Sequence, residues 1–290
     1  MDNSQVMYLD ENIVLLATLG GNNKTSPNVI GLSVVPFPIY SALLEELLAD
    51  PTKNTRDLTQ TYRSMLPEHI SKACGNCMLS KPKSKALKKL KLLGCYAQWN
   101  FQTLTQAVAN IRKAIFYEAI QKKGRSKFRK KEWKLMLERA TRLDINHIRS
   151  CVVGDLGKVP VKISTDIIAT SVFLGFKWLG YTHLWATSEH LKETHQASTQ
   201  GTWKAAEAAR KRGWGVFHML PRSSGYLHPD YRPCPVLEHK VGGLKTTCTG
   251  CPIPCNGRDG HLTYNIDHGP GSFGKLGRAG ELLQLERKER

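Results

Sequence analysis

The cysteines near the C-terminus are the residues whose type and spacing most directly suggest chemistry. Cys234 is followed by Cys248, Cys251 and Cys255, so four thiols fall within a segment rich in glycine and proline. A C-x2-C pair supplies two neighbouring ligands because the chain can turn around a metal. The spacing predicts a centre with four thiolate ligands, and incidental loop thiols are the alternative. The prolines that follow Cys251 and precede Cys255 are typical of ferredoxins and favour a 4Fe-4S iron–sulfur cluster over zinc.

A second cysteine group lies far upstream. It consists of Cys74, Cys77 and, after a long lysine-rich interval, Cys95. Three thiolates can hold a cluster with an open iron, and Cys151 or a histidine could complete the set. Cys151 falls in a predicted strand, where a buried apolar thiol is the simpler interpretation. Neither group has the C-x3-C-x2-C order of a radical-SAM loop, and whether the cysteines form one centre, two or none stays open.

Asp155 is the candidate catalytic residue. It follows a predicted strand within Gly154-Asp155-Leu156-Gly157, and β/α proteins place functional carboxylates at the carboxyl ends of strands. Four more polar residues near predicted strand ends could line the same pocket: Thr187, Ser188, Glu189 and His218. Turn or capping roles are the alternative for each. Three other histidines are predicted to lie in loops or at the surface: His183, His190 and His195.

The densest basic stretch suggests a nucleic-acid-binding segment. Its candidate phosphate contacts are Lys122, Lys123, Arg125, Lys127, Arg129, Lys130 and Lys131. Such contacts would give strongly salt-dependent affinity for DNA or RNA. Phe128 and Trp133 could stack on unpaired bases, but Trp133 is in phase with the following helix and fits a core position better. A solvated charged loop is the alternative.

The overall charge points to the same class of partner. Lys and Arg number 42 against 24 Asp and Glu, which gives a formal net charge of +18. A protein this basic attracts polyanions, so nucleic acid is the default partner, and a protein partner stays open. The longest apolar run, 167–179, is too short to span a membrane, and no signal peptide is recognisable. We therefore expect a cytoplasmic protein with no membrane partner, whose cysteines are reduced.

The first half of the chain predicts a strand pair followed by helices. Residues 12–18 and 28–35 are apolar and β-branched on either side of a glycine and asparagine turn. Helical spacing follows at 40–48 and at 56–66, the second helix being ended by Pro67. Amphipathic helices are predicted from Thr103 to Ala119 and from Trp133 to Leu143.

Strands and helices alternate in the middle third of the chain. Predicted strands at 148–153, 182–187 and 214–220 are separated by helices at 165–179 and 201–212, with Ser164 or Thr165 capping the first and Gly213 ending the second. This alternation is typical of parallel βαβ units. The predicted fold class is α/β, with β/α repeats in a barrel-like or open parallel sheet, Cys-rich metal-binding loops and added N-terminal helices.

The same pattern predicts four regions along the chain. They are the strand pair, helices and first cysteine group at 1–100, the helices and βαβαβ core at 101–222, the four-cysteine segment at 223–267 and a flexible tail at 268–290.

Several short motifs, taken together, resemble the "gene product eighty-eight" proteins of mycobacteriophages and plasmids. They are Asn22-Asn23-Lys24, Ile30 to Pro36, the upstream C-x2-C pair, Cys95-Tyr96-Ala97, Ile148-Arg149-Ser150, Gly154-Asp155, Cys234-Pro235 and the last three cysteines. The resemblance implies a protein of a mobile genetic element with metal-ligating cysteines, and the Cys-Tyr-Ala step is similar to part of some radical-SAM loops. The chain departs from the family pattern by an insertion at 38–71 and by the lysines between Cys77 and Cys95.

The leading hypothesis is a nucleic-acid-binding protein of a phage or plasmid, with a Cys-ligated iron–sulfur or zinc centre. The first alternative is a radical or redox enzyme on a β/α barrel, in which Cys74, Cys77 and Cys95 hold the cluster beside Asp155. The second alternative is a zinc-stapled interaction protein that modulates a host or conjugation complex. In the first alternative the C-terminal cysteines hold the fold together, and the upstream trio is the reactive centre.

Overall fold

The computed structural model describes residues 3–20, 28–75, 101–121, 128–200, 203–220, 230–235, 247–251, 255–257 and 260–266. Strands and helices alternate along most of this length. In chain order they are β1 (Ser4–Leu9), β2 (Ile13–Leu19), β3 (Ile30–Pro36), α1 (Phe37–Ala49), α2 (Thr55–Cys74), α3 (Phe101–Gln121), α4 (Lys130–Arg142), β4 (His147–Val153), α5 (Val161–Phe173), β5 (Lys177–Leu179), β6 (Tyr181–Thr182), β7 (Gln196–Gln200), α6 (Trp203–Lys211), β8 (Val216–Leu220), β9 (Arg232–Pro233) and β10 (Leu262–Ile266).

The strands form two sheets that meet at one residue. The first has the order β1-β2-β3-β4-β5, antiparallel from β1 to β3 and parallel from β3 to β5. The second, β6-β7-β8-β10-β9, is parallel throughout. Gly180 alone separates β5 from β6, and its carbonyl oxygen accepts a hydrogen bond from the Gln196 N–H. The chain therefore passes directly from one sheet into the other.

This topology confirms an α/β fold with a parallel-containing sheet. The strand order ends at β1 on one side and at β9 on the other, and no pairing among the described residues joins these two edges. The sheet order alone therefore does not establish a closed barrel. No helix in the described part of the chain is long and apolar enough to cross a membrane.

Helices cover the sheets because strands buried on both faces need an apolar layer on each side. One core cluster joins α1, α2 and α3 to the first sheet through residues such as Leu43, Tyr62 and Ile111. A second, larger cluster brings α4, α5 and α6 onto the strands through residues such as Trp133 and Ala206. The apolar faces of the helices therefore pack on the sheets and hold the strands in position.

Most of the predicted elements are confirmed. The pair β2 and β3 is antiparallel, with Leu16 opposite Ser33. Helix α3 buries Leu104, Val108 and Ile111 at the predicted spacing, and α4 buries Trp133 completely, as its phase predicts. Helix α6 is followed by Gly213, which has a φ of 74°.

Pro67 does not end the second helix as expected. It lies inside α2, which continues to Cys74. Proline removes one hydrogen bond from a helix interior at a typical cost of about 3 kcal/mol. The turn beyond Pro67 stays helical because it buries Ile70 and Ala73 against the core.

The predicted helix at 165–179 and strand at 182–187 are both wrong in their bounds. Helix α5 begins at Val161, directly after Pro160, and ends at Phe173. The Ser164 hydroxyl donates within the first turn, to the carbonyl oxygens of Pro160 and Val161, so Ser164 does not cap the helix. Gly175, with a φ of 82°, separates the helix from a short strand at 177–179. Residues 183–187 form a turn.

Candidate metal centre

The four C-terminal cysteines meet around one cavity. Cys234 follows β9, Cys248 and Cys251 lie in the segment 247–251, and Cys255 begins the segment 255–257. All four line the same cavity, together with Pro235. The predicted ligand set is therefore brought together in space, although its members come from separate segments of the chain.

The rest of the cavity lining comes mainly from the sheets. Three neighbouring positions come from the junction of β5 and β6, two from β4 and one from β10. They are Leu179, Gly180, Tyr181, Arg149, Ser150 and Thr263. Strands β4 and β10 belong to different sheets, yet both line this cavity.

Backbone contacts hold the last cysteine segment against this part of the lining. The Gly180 N–H donates to the carbonyl oxygen of Cys255 at 2.8 Å. Two residues further on, Gly257 packs so closely on Lys192 and His195 that a Cβ atom there would overlap their carbonyl oxygens. Glycine is therefore required at position 257, because the backbone of one segment rests on the backbone of another.

A turn arranges the C-x2-C pair. The Gly250 N–H donates to the carbonyl oxygen of Thr247 at 3.2 Å, and the hydroxyls of Thr247 and Thr249 lie 3.0 Å apart. The chain thus reverses between Cys248 and Cys251, as two neighbouring ligands of one centre require.

The thiols influence one another electrostatically. Burial raises the pKa of the Cys255 thiol well above its ordinary value, and the neighbouring thiols of Cys234, Cys248 and Cys251 raise it further. The Arg149 guanidinium acts in the opposite direction. Four thiolates can share this space only with a compensating positive charge, which a metal ion or cluster supplies.

The four cysteines line one cavity, but their side chains do not converge as a ready-made ligand set. No group of three or more His, Cys, Asp or Glu side chains among the described residues is arranged to hold a metal ion. The cavity that the four cysteines line has a volume of about 60 Å³, whereas a water molecule needs roughly 10–15 Å³ by the same measure. The cavity therefore has room for more than one atom.

A buried histidine contacts Ser150, one of the residues that line the cavity. The Ser150 hydroxyl and the His195 Nε2 are 2.6 Å apart. Thr194 donates its hydroxyl proton to the Leu191 carbonyl oxygen, so its own oxygen accepts from the Nδ1–H of His195 at 2.8 Å. This leaves Nε2 as the acceptor of the Ser150 proton. His195 is in a loop, as predicted, but it is fully buried, and burial lowers its pKa to about 3.

Asp155 lies at the carboxyl end of β4, and protein donors occupy both of its carboxylate oxygens. One oxygen accepts from the Gly157 N–H at 2.9 Å and from the Thr182 hydroxyl at 2.8 Å. The other accepts from the His183 N–H at 2.7 Å. Asp155 is not among the described residues that line the cysteine cavity. These hydrogen bonds favour the turn and capping role.

The other polar residues predicted near Asp155 make local contacts. Glu189 contacts Lys192 and Arg212, and burial of the Ser188 side chain places its hydroxyl near Gly157. His218 is fully buried, with its Nδ1 2.8 Å from the Thr199 hydroxyl. Thr187, near the end of the turn at 183–187, donates to the Leu184 carbonyl oxygen. None of these four residues lines the cysteine cavity.

The upstream cysteine group lies only partly within the described residues. Cys74 is half-buried at the end of α2, where it packs against both core clusters. The neighbouring carbonyl oxygen of Ala73 accepts from the Asp155 N–H at 2.8 Å, so Cys74 borders the Asp155 loop. Cys77 and Cys95 lie outside the described residues, and only the backbone of Cys151, in β4, is described.

The basic segment is described from residue 128 onward. Lys130 and Lys131 are exposed at the start of α4, whereas the Arg129 side chain is 7% exposed. Lys134 and Arg142 extend the exposed basic surface along the same helix. The remaining candidate phosphate contacts, Lys122, Lys123, Arg125 and Lys127, lie outside the described residues.

Sequence reasoning assigned no role to Arg149, Ser150 or Tyr181. Arg149 and Ser150 stand in one of the short motifs, but strand alternation alone does not reveal that this part of β4 faces a loop more than eighty residues away.

No known protein family, curated protein or solved structure matches this chain.

Proposed function

We propose that this chain is a nucleic-acid-binding protein of a mobile genetic element, built around a cysteine-ligated iron–sulfur cluster. The observation that carries the proposal is the meeting of Cys234, Cys248, Cys251 and Cys255 around one cavity. Four cysteines from separate segments at one cavity match a four-thiolate ligand set, and a bound metal centre would offset the repulsion between the ionised thiols.

The size of the cavity favours an iron–sulfur cluster over zinc. A single Zn²⁺ ion needs four sulfur atoms at about 2.3 Å from one point. The cavity that the cysteines help to line has a volume of about 60 Å³, and no ready-made ligand set for a metal ion is found among the described side chains. A cluster carries its own iron and sulfide atoms, so it bridges ligands that are further apart.

The charge of the chain supports the nucleic-acid partner. The formal net charge is +18, and Lys130, Lys131 and Lys134 are exposed along α4. Phosphate contacts from such a surface would dominate the affinity. The resemblance to phage and plasmid proteins supports the mobile-element origin, which stays a prediction. We also propose that the parallel strands curve into a barrel-like arrangement around the cysteine loops, since β4 and β10 line the same cavity.

Metal analysis of anaerobically purified protein tests the cluster. We expect iron and acid-labile sulfide, with a visible thiolate-to-iron absorbance that Cys251→Ser lowers severalfold. Cys74→Ser is the matched control, because Cys74 lies at the end of α2 and does not line the cavity. Stoichiometric zinc without iron would contradict the iron–sulfur assignment, and metal content unaffected by Cys251→Ser would contradict the site.

Binding of labelled DNA and RNA at several salt concentrations tests the partner. We expect Lys130→Gln with Lys131→Gln to weaken binding and to reduce the slope of log affinity against log salt by about 1 for each lysine that binds a phosphate. Lys204→Gln with Lys211→Gln is the matched control, because both lysines are exposed on α6 and the net charge changes equally. Undetectable binding at low salt would contradict the proposal.

An iron–sulfur enzyme is the second candidate. The observation that favours it is the hydrogen bond between the Asp155 N–H and Ala73, which sets Cys74 beside the Asp155 loop. If Cys74→Ser removes the cluster and Cys251→Ser does not, the upstream cysteines are the ligands and this candidate replaces the first.

A further inference from the structure

The strand residues that line the cavity include one permanently charged side chain. Among the described residues that line the cavity, Arg149 is the only Lys, Arg, Asp or Glu. The other strand residues that line the cavity contribute hydroxyl groups, from Ser150, Tyr181 and Thr263, or apolar atoms.

Strand pairing on both sides fixes the backbone of Arg149. It is opposite Gly31 of β3 and Leu179 of β5, in the parallel centre of the first sheet. The backbone of a residue in a central strand is less mobile than that of a loop residue, because it is hydrogen-bonded to a strand on each side. The guanidinium therefore starts from a rigid position beside the cysteines.

A fixed positive charge stabilises a loaded centre. Four thiolates carry more negative charge than a 4Fe-4S core or a Zn²⁺ ion neutralises, so the centre is a net anion, and reduction adds a further negative charge. Net charge and hydrogen bonds to the sulfur atoms are the main determinants of a cluster's reduction potential. Arginine suits such a role because it stays charged and presents several N–H donors in a rigid plane.

We propose that Arg149 is the counter-charge of the cysteine-bound centre, and that it raises the reduction potential of the cluster and slows the loss of metal. This inference rests on the proposed cluster site. Arg149 is thus a positioning residue, which acts through the thiolates and their cluster.

Redox titration of the purified protein, followed by visible absorbance, tests this role. We expect Arg149→Gln to shift the reduction equilibrium about tenfold toward the oxidised form, which is about 59 mV for a one-electron couple. Arg149→Lys should keep most of the wild-type potential, because it keeps the charge. Arg142→Gln is the matched control, because it removes one positive charge at an exposed position at the end of α4.

Release of metal to a chelator is the second measurement, and it applies to iron or zinc alike. We expect metal to leave Arg149→Gln severalfold faster than it leaves Arg142→Gln. Both measurements refer to the loaded fraction of each variant, so incomplete loading does not hide the effect. If Arg149→Gln matches Arg142→Gln in potential and in release rate, the inference is overturned while the cluster site stands. If the wild-type protein carries neither iron nor zinc, or Cys251→Ser retains all of it, the proposed function fails and the inference falls with it.

Discussion

At the scale of single residues, the carboxylate of Asp155 links three parts of the chain. It accepts from Gly157 in the following turn, and from Thr182 and His183 at the end of β6. Its own N–H donates to Ala73 at the end of α2. Asp155, which the sequence predicts as the catalytic residue, thus makes hydrogen bonds through both carboxylate oxygens and through its backbone N–H.

Asp155→Asn should destabilise the protein whether or not Asp155 has a further role. The amide can keep one oxygen as acceptor, but its NH₂ group then faces a donor, either the His183 N–H or the Gly157 N–H together with the Thr182 hydroxyl. Leaving such a buried donor unsatisfied costs about 1–3 kcal/mol, and urea unfolding would measure the loss. Asp144→Asn, at an exposed position, should change stability by less than about 0.5 kcal/mol. A variant at 155 as stable as the one at 144 would show that these hydrogen bonds contribute nothing.

His195 predicts a pH dependence of stability. Its pKa falls to about 3 on folding because of burial, whereas an unfolded histidine titrates at about pH 6.5. Between about pH 3 and about pH 6.5, the imidazole of His195 is protonated in the unfolded chain but not in the folded protein. Stability is therefore fully present above about pH 6.5 and is lost as the pH falls, by at most about 1.4 kcal/mol per pH unit.

Replacing the imidazole tests this source. His195→Gln should be less stable at pH 7, because glutamine does not reproduce the imidazole's hydrogen bonds with Ser150 and Thr194. Its stability should also change less between about pH 6.5 and 4, where an unfolded histidine gains its proton. His147→Gln, at a half-buried position, should reduce the pH dependence of stability less than His195→Gln does. Stability curves of the wild type and His195→Gln that run parallel through this range in urea unfolding would exclude His195 as the source.

The residue types of the candidate site were predictable, but their surroundings were not. Close spacing marks Cys248, Cys251 and Cys255, because few structures other than metal sites need three thiols in one short loop. Arg149 and Ser150 carry no such signal, since arginine and serine occur in many strands. Their role depends on which loop covers the strand, and that is a tertiary property.

At the scale of elements, Gly154 shows how tightly β3 and β4 are joined. It follows β4 with a φ of 75°, and a Cβ atom there would overlap the Val34 carbonyl oxygen and lie 2.8 Å from the Val34 Cβ. Gly175 has a similar φ of 82°, but no atom lies within 4 Å of its ideal Cβ position.

The two glycines form a matched pair of variants. Alanine at either position carries the left-handed backbone strain, about 1–2 kcal/mol. Gly154→Ala must also displace β3, and such overpacking typically adds about 1–3 kcal/mol. We therefore expect a larger loss for Gly154→Ala than for Gly175→Ala in denaturant unfolding. Equal losses of unfolding free energy would mean that β3 accommodates the added methyl group without destabilising the protein.

The elements themselves were predictable where the apolar period is regular. Helix α3 buries Leu104, Val108 and Ile111 at the expected spacing. The run at 167–179 departs from its prediction because it contains both a helix end and a strand, which only the positive φ of Gly175 separates. Strand β7, with the sequence Gln-Ala-Ser-Thr-Gln, lacks an apolar pattern and is held by pairing with β6 and β8. Its existence depends on neighbours that sequence does not reveal.

At the scale of the whole molecule, the cysteine segments and the cores are held by different forces. Neither core cluster includes Cys234, Cys248, Cys251 or Cys255. The first sheet and its helices, by contrast, are held by buried apolar residues. Hydrophobic burial accounts for the cores and, through Tyr231, anchors the segment that carries Cys234. The described contacts of segments 247–251 and 255–257 are mainly backbone hydrogen bonds and turns.

Removal of metal should therefore loosen one part of the molecule first. The free energy of metal binding contributes to folding wherever the unfolded chain has no preformed site. We expect chelation to lower the thermal unfolding midpoint and to open segments 247–251 and 255–257 to protease, while the strands β1 to β4 stay protected. Differential scanning calorimetry and mass spectrometry of the fragments would measure both effects.

Cys251→Ser provides the matching control for chelation. It should lower the midpoint without chelator and then respond little to added chelator, because the ligand set is already incomplete. Cys74→Ser should unfold as the wild type does in the presence and absence of chelator, apart from a small constant loss for a half-buried thiol. If chelation leaves the midpoint and the cleavage sites of the wild type unchanged, metal does not hold the cysteine segments, and their backbone hydrogen bonds and turns suffice.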